Sequence, residues 1–193
     1  LPPLCKGEEI AAFGLSESSA GSDAAALKTS AQKVAGGWKL NGNKLWISSA
    51  GMAKTYLVMA RTGEAGPKGI TAFIVRDGVT GFSYGKNEKK MGIKISPTRE
   101  LIFQNCFVPD DHVLGEVGRG FNLAMEALNR GRITVGALAI GLSERAFEEA
   151  LKYSLDRHQF GKPIFEFQGL QFMLADMRTE LEAARLLVRE AAH

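Results

Sequence analysis

The chain has 193 residues, 45% hydrophobic and 23% charged, and a formal net charge of +3 from 24 Lys and Arg against 21 Asp and Glu. This is ordinary globular usage, which excludes a disordered chain. The small charge, with no run of five like residues, argues against a nucleic-acid partner. No apolar stretch approaches the roughly 20 residues that a membrane-spanning helix needs. Cys5 and Cys106 have no CxxC, CxxH or HxxxH partner, so a structural zinc site is excluded. Two free thiols in a reducing compartment fit this usage better than one long-range disulfide. The opening Leu1-Pro2-Pro3 carries no initiator Met, and Ala191-Ala192-His193 closes inside a helical pattern, so the sequence reads as a piece of a longer protein.

Strand signals come first along the chain. Ile10–Leu15 alternates as a strand. Lys28–Val34 and Trp38–Leu40 flank Gly36-Gly37, which predicts a hairpin because paired glycines supply positive φ. Asn41-Gly42 is a second hairpin signal before a strand at Lys44–Ser48. Thr55–Arg61, Ile70–Arg76 and Leu101–Val108 complete a set of short β-branched and aromatic strands. No three-turn helix fits between them, which excludes a Rossmann sheet. Their close spacing predicts an antiparallel barrel or sandwich.

The pattern changes near Gly115–Gly120. Residues 1–118 hold 16 glycines and five prolines, and residues 119–193 hold six and one. From Phe121, apolar residues recur at helical spacing through Met125, Leu128, Leu138, Leu142 and Ala146. Gly131 and Gly136, costly inside a helix, predict close packing there. Gly161 and Pro163 mark a stop and restart. Leu170, Met173, Met177, Leu181, Ala184, Val188 and Ala191 then trace one apolar stripe, with Arg178 and Glu182 a turn apart on the other side. This predicts half of an antiparallel bundle. The expected fold is therefore mixed β and α, with a β-barrel domain over 1–117 and part of a helical-bundle domain over 118–193.

Neither GxGxxG nor GxxxxGK[ST] is present. Gly14-Leu15-Ser16-Glu17-Ser18 lacks the final Gly of a nucleophile elbow, and His112, His158 and His193 are scattered. Two segments remain. The loop Phe13–Asp23 is rich in small polar groups that can hold the oxygens of a flavin or a pyrophosphate, or can simply turn the chain with Asp23 as a helix cap. In Lys44–Ser48, alternation puts Trp46 and Ser48 on one strand face, offering an indole plane beside a hydroxyl; the alternative for Trp46 is the core.

Taken together, FGLSESSAGSD and NGNKLWISSA resemble the two central motifs of the acyl-CoA dehydrogenase family. The resemblance continues in order through MGIKISPTRELIFQNCFVP, GFNLAMEALNRGRI and DRHQFGKPIFEFQGLQFMLADM. It implies a middle β-barrel domain followed by the opening helices of the C-terminal bundle, with FAD as cofactor. By similarity, Phe13, Leu15 and Ser16 line the flavin and offer backbone N–H groups to its pyrimidine end. Trp46 packs on its face, with Ile47 beside it, and Ser48, where Thr is usual, places a hydroxyl near N5. Arg157, Gln159 and Phe160, with Gln168 as a weaker match, reach the FAD of a neighbouring subunit, which implies a homo-oligomer, a dimer of dimers. Ser22, Asn129 and Arg132 are the implied acyl-CoA contacts, although many members have Asp at the position of Asn129.

The implied reaction is α,β-dehydrogenation of an acyl-CoA to its trans-2-enoyl-CoA, with electrons passed to an electron-transferring flavoprotein. A related oxidase on the same fold and a non-catalytic flavin- or acyl-CoA-binding scaffold are the alternatives. The family's catalytic carboxylate comes from beyond His193 or from the position of Gly131, which cannot be a base. Glu17 reads as structural. A bacterial cytoplasm and a mitochondrial matrix both fit.

Overall fold

Residues 2–193 are described by a computed structural model, in which the chain divides into two compact units, Leu1–Glu126 and Ala127–His193. In the first, a short α1 (Pro2–Cys5) precedes β1 (Ala11–Gly14), β2 (Ser30–Val34), β3 (Gly37–Ser48), β4 (Thr55–Arg61) and β5 (Ile70–Arg76). β6 (Phe82–Asn87), β7 (Thr98–Pro109) and β8 (Val113–Leu114) complete one sheet, in the order β6-β7-β3-β2-β4-β5-β8, with β1 alongside β4. The ladders are antiparallel except for β1 and a single residue pair of β2, both of which run parallel to β4.

Aromatic contacts show how the sheet curls. Trp38 of β3 meets Phe73 of β5 edge-on at 5.6 Å, and Tyr56 of β4 meets Phe82 of β6 at 4.9 Å. Neither pair of strands is adjacent in the ladder, so the sheet bends round one core in which Leu40, Tyr56, Val58, Phe73 and Leu101 are fully enclosed. β6 and β8 do not pair, so the barrel is open among the described residues. The expectation of a mixed fold, largely antiparallel β then α, is met.

Turn chemistry was misplaced in two positions. The β2–β3 hairpin turns on Ala35-Gly36, with Gly36 at φ +75°, and Gly37 already belongs to β3. Asn41-Gly42 makes no hairpin but lies within the twelve residues of β3, at an irregularity in its pairing with β7. Gly42 sits at φ +136°, and a Cβ there would lie 2.7 Å from the Thr29 Cα. The glycine is thus required by a close crossing, not by a turn. β6 was missed because Ser83, Gly85 and Lys86 dilute its apolar pattern.

α2 (Gly120–Asp156) opens with Gly120 against the Thr71–Ala72 backbone, where a Cβ would meet the chain at 2.5 Å. In the second unit α2 ends at Asp156. A two-stranded turn of β9 (His158–Gln159) and β10 (Lys162–Pro163) follows, with Gly161 at φ +76°, and α3 (Gln168–Ala191) begins after it. Gly136 lies against Val188, and Phe147 lies under the Arg178 guanidinium, so α2 and α3 run antiparallel. Close packing is therefore found at Gly136 but not at Gly131, where a Cβ would touch nothing within 4 Å. The helices leave an apolar groove of about 520 Å³ lined by Ile140, Phe147, Met177 and Leu181 among others. The Arg178–Glu182 ion pair closes at 2.6 Å, and Arg185 bridges to Glu144 at 2.7 Å.

Deleting a fully enclosed aromatic leaves a cavity that its neighbours fill only in part. Phe73→Ala is expected to lower the stability of the β unit by about 3–5 kcal/mol, measured by denaturant unfolding followed through tryptophan fluorescence.

Candidate functional site

The segment Phe13–Glu17 leaves the end of β1 and crosses the middle of β3. Three bonds join it there. Leu45 N–H donates to the Ser16 carbonyl at 2.9 Å, and the Lys44 ammonium donates to the Leu15 carbonyl at 3.2 Å and to Glu17 Oε1 at 2.7 Å. Glu17 also accepts the Lys28 N–H at 2.6 Å and the Thr29 N–H at 3.0 Å. Lys44 is fully enclosed and Glu17 is 6% exposed. Both are thus buried charges, tolerable only because each is paired and hydrogen-bonded. Burial pushes the Lys44 ammonium down to about 8 against the opposing pull of Glu17, so it stays protonated at neutral pH. Burial works to raise Glu17, but hydrogen bonds from Lys44 and the chain at Lys28–Thr29 more than offset it and hold the carboxyl below its ordinary range.

β3 changes parity at this crossing. Lys44 pairs with Leu101 and Ile47 with Arg99, so one extra residue bulges out between them. Trp46 lies in that bulge at φ +57°, a left-handed conformation that a bulky residue adopts only under tertiary constraint, at a cost of about 1–3 kcal/mol. Its indole is 65% exposed. Beyond the bulge Ile47 points inward and Ser48 outward. Trp46 and Ser48 therefore share the outer face, as alternation predicts, whereas Lys44, which the same alternation would put with them, is turned into the core. Ile47 is 3% exposed and packs in the core, so its side chain is not a cofactor contact and only its backbone can face the site. Past Ser48, the Ser49 N–H donates to the Pro97 carbonyl and the Gly51 N–H to the Tyr56 hydroxyl, which fixes the end of the strand.

The structure thus brings Phe13, Leu15, Ser16, Trp46 and Ser48 to one loop–strand junction. Phe13 and Ser16 are half-buried there, and Leu15 is buried at its rim. Ser22 is exposed farther along the same loop, and Asp23 makes no side-chain cap to the short helical turn that follows. In the second unit Asn129 and Arg132 sit one turn apart on α2 and are joined by an Arg132–Asn129 hydrogen bond of 2.6 Å. Arg157, Gln159 and Phe160 are exposed at the β9–β10 turn, with Phe160 at φ +53°, and Gln168 opens α3 nearby in sequence. The turn is held by the Ile164 N–H on the Arg157 carbonyl at 2.8 Å and by Phe160 against Phe167. Among the described residues the Arg157 guanidinium makes no ion pair, and neither Asp156 nor Glu166 engages it.

Sequence reasoning passed over Lys44. The available signal was a lysine inside an otherwise apolar strand with a glutamate in the adjoining loop. Cys106 is buried, which pushes its thiol up to about 11 and leaves it inert; Cys5 is exposed, and both are free. No group of three metal-ligating side chains and no helix long and apolar enough to cross a membrane occurs among the described residues.

The chain belongs to the acyl-CoA dehydrogenase family, as matches to that family's domains show. Residues 12–106 match the acyl-CoA dehydrogenase middle domain and residues 118–193 its C-terminal domain. The chain is 50% identical, over its whole length, to a short-chain-specific acyl-CoA dehydrogenase of Megasphaera elsdenii, of which it covers 51%. The structure of butyryl-CoA dehydrogenase from the same organism superposes with a TM-score of 0.94 at 49% identity, over 97% of this chain and 50% of that one. A chain in a structure of the electron transferring flavoprotein of Acidaminococcus fermentans matches equally well, with a TM-score of 0.94 and 50% identity over 98% of this chain and 50% of that one. The chain spans about half the length of the curated relatives it matches.

The lowered pKa of Glu17 has a consequence for stability. A carboxylate held below its ordinary value of 4.5 contributes fully above that pH and loses its contribution as pH falls through the folded value. The stability of the β unit is expected to fall steeply below about pH 4.5. Glu17→Gln should weaken it at neutral pH by about 3–5 kcal/mol, because Lys44 is left buried without its counter-ion, and should flatten that acid limb. Denaturant midpoints measured between pH 3 and pH 7 check both.

Proposed function

We propose that this chain is the flavin- and thioester-binding part of an FAD-dependent acyl-CoA dehydrogenase. The observation that carries the reading is Trp46, an indole held outward at a backbone cost and beside the Phe13–Ser16 loop, in a chain of this family. Strain of this kind persists where surrounding structure over-determines it, and an exposed aromatic plane next to small polar groups suits a flat heterocycle with polar edges. The residues present therefore fit the cofactor.

FAD would supply the acceptor for the hydride that leaves the thioester's β carbon. The chain's own residues do the rest of the work in this part of the site. Backbone N–H groups at Leu15 and Ser16 would meet the flavin's pyrimidine edge, where donors favour negative charge on the reduced ring. Trp46 would cover one face and exclude water, and the Ser48 hydroxyl would stand near N5. Ser22, Asn129 and Arg132 would contact the CoA moiety. Arg132 is the cation of the set, and its bond to Asn129 limits its freedom.

Removal of the α proton requires a carboxylate base. Glu17 is committed to Lys44 and to two backbone donors, and Gly131 has no side chain. We place the base outside residues 1–193. Arg157, Gln159, Phe160 and Gln168 would serve the FAD of a neighbouring subunit, with Arg157 on the pyrophosphate, so cofactor retention would depend on a homo-oligomer, a dimer of dimers. An electron-transferring flavoprotein would take the electrons, a reading supported by the flavoprotein structure in which a chain so similar to this one occurs.

The parent protein should show an oxidised flavin band that bleaches on anaerobic addition of a saturated acyl-CoA. A band unchanged by short, long and branched thioesters would overturn the substrate class, and no band after FAD is supplied would overturn the cofactor. Residues 1–193 alone are expected to give no turnover; appreciable oxidation of an acyl-CoA by them would place a base within the chain. Arg157→Ala in the parent should weaken FAD retention by about tenfold or more, from loss of a charge-assisted contact, as measured by flavin released on dilution.

A further inference from the structure

The Lys44 ammonium does more than neutralise Glu17. It also grips the Leu15 carbonyl, and in a trans peptide the carbonyl and the following N–H point in opposite directions. A bond that draws the Leu15 oxygen towards Lys44 therefore turns the Ser16 N–H away from Lys44. The next carbonyl, that of Ser16, is tied to Leu45 N–H in the same strand, so two successive peptides are clamped along one edge of β3. An ammonium donor to a peptide oxygen also polarises that peptide and makes its N–H a stronger donor, an effect that the Glu17 carboxylate beside it offsets in part and that enclosure from water preserves.

We propose that Lys44, itself held by Glu17, is a positioning residue for flavin reduction: through the Leu15–Ser16 peptide it aims and polarises the Ser16 N–H as a donor to the reduced ring. This rests on the flavin reading above and deepens it. The fold fits the assignment. A lysine is enclosed completely, where an apolar side chain would fill the same space without the cost of desolvation, and among the described residues its ammonium donates to the loop carbonyl and to the carboxylate beside it. Glu17 in turn is fixed by the Lys28 and Thr29 N–H groups, so the carboxylate that holds the ammonium is itself anchored at the entry to β2.

The test uses the full-length holoenzyme and reads the flavin, not turnover. In equilibrium with a reference dye at pH 7, the double variant Lys44→Met/Glu17→Gln should shift the reduced-to-oxidised flavin ratio about three- to tenfold towards oxidised. It removes both charges and so leaves no unpaired ion in the core. Lys44→Met singly should shift it in the same direction. Lys33→Met, which removes an exposed partner of Asp110 away from the loop, should leave it unchanged. A folded charge-free variant that keeps the parent ratio within twofold would overturn the assignment and reduce Lys44 to a structural ion. An equal shift in Lys33→Met would overturn it also, by showing a general charge effect. A parent that binds no FAD would instead overturn the flavin reading itself, and this proposal with it.

Discussion

An ammonium ion enclosed in a β core is the constraint on which the candidate site depends. Taking Lys44 out of water is unfavourable by several kcal/mol unless a counter-ion and further acceptors meet it. Here the acceptors are Glu17 and the Leu15 carbonyl. Both belong to the loop that follows β1, so the charge cannot be satisfied without drawing that loop across β3. The placement of the loop is thus a by-product of satisfying one buried charge. Its position next to Trp46 follows from covalent geometry, because Lys44 and Trp46 are two residues apart.

The bulge makes the two demands compatible. A regular strand would put Lys44 and Trp46 on the same face, and either the charge would be exposed or the indole buried. One extra residue opposite the Leu101–Arg99 segment reverses the parity, so that Lys44 and Ile47 both point in while Trp46 and Ser48 point out. The left-handed backbone at Trp46 is the local cost, carried by the packing of Ile47 and by the anchoring of the next residues on Pro97 and Tyr56.

The second unit follows a simpler logic. Two helices bury a shared stripe around Leu181 and Gly136 and leave a groove open along it. These helices lie within residues 118–193, which match the family's C-terminal domain. Arg157 and its neighbours sit on a turn that the unit holds by its own contacts.

Composition, periodicity and a few motifs determined much of this protein directly. The change from period two to helical period near residue 118, the antiparallel character of the strands, the stripe on α3 and the shared face of Trp46 and Ser48 were all legible, because each depends on local spacing. The family resemblance was legible for the same reason, since its motifs are contiguous. Tertiary structure decided what local spacing cannot encode. Asn41-Gly42 has the composition of a turn, yet it runs on within β3, opposite an extra residue of β7 and close against Thr29. Gly131 has the composition of a packing contact and meets nothing. Ile47 was drawn into the core and Lys44 with it, because a single bulge, set by pairing to β7, decides which way every later side chain points. The partner that makes a buried lysine tolerable lies 27 residues earlier in the chain, and only the folded sheet brings the two charges together.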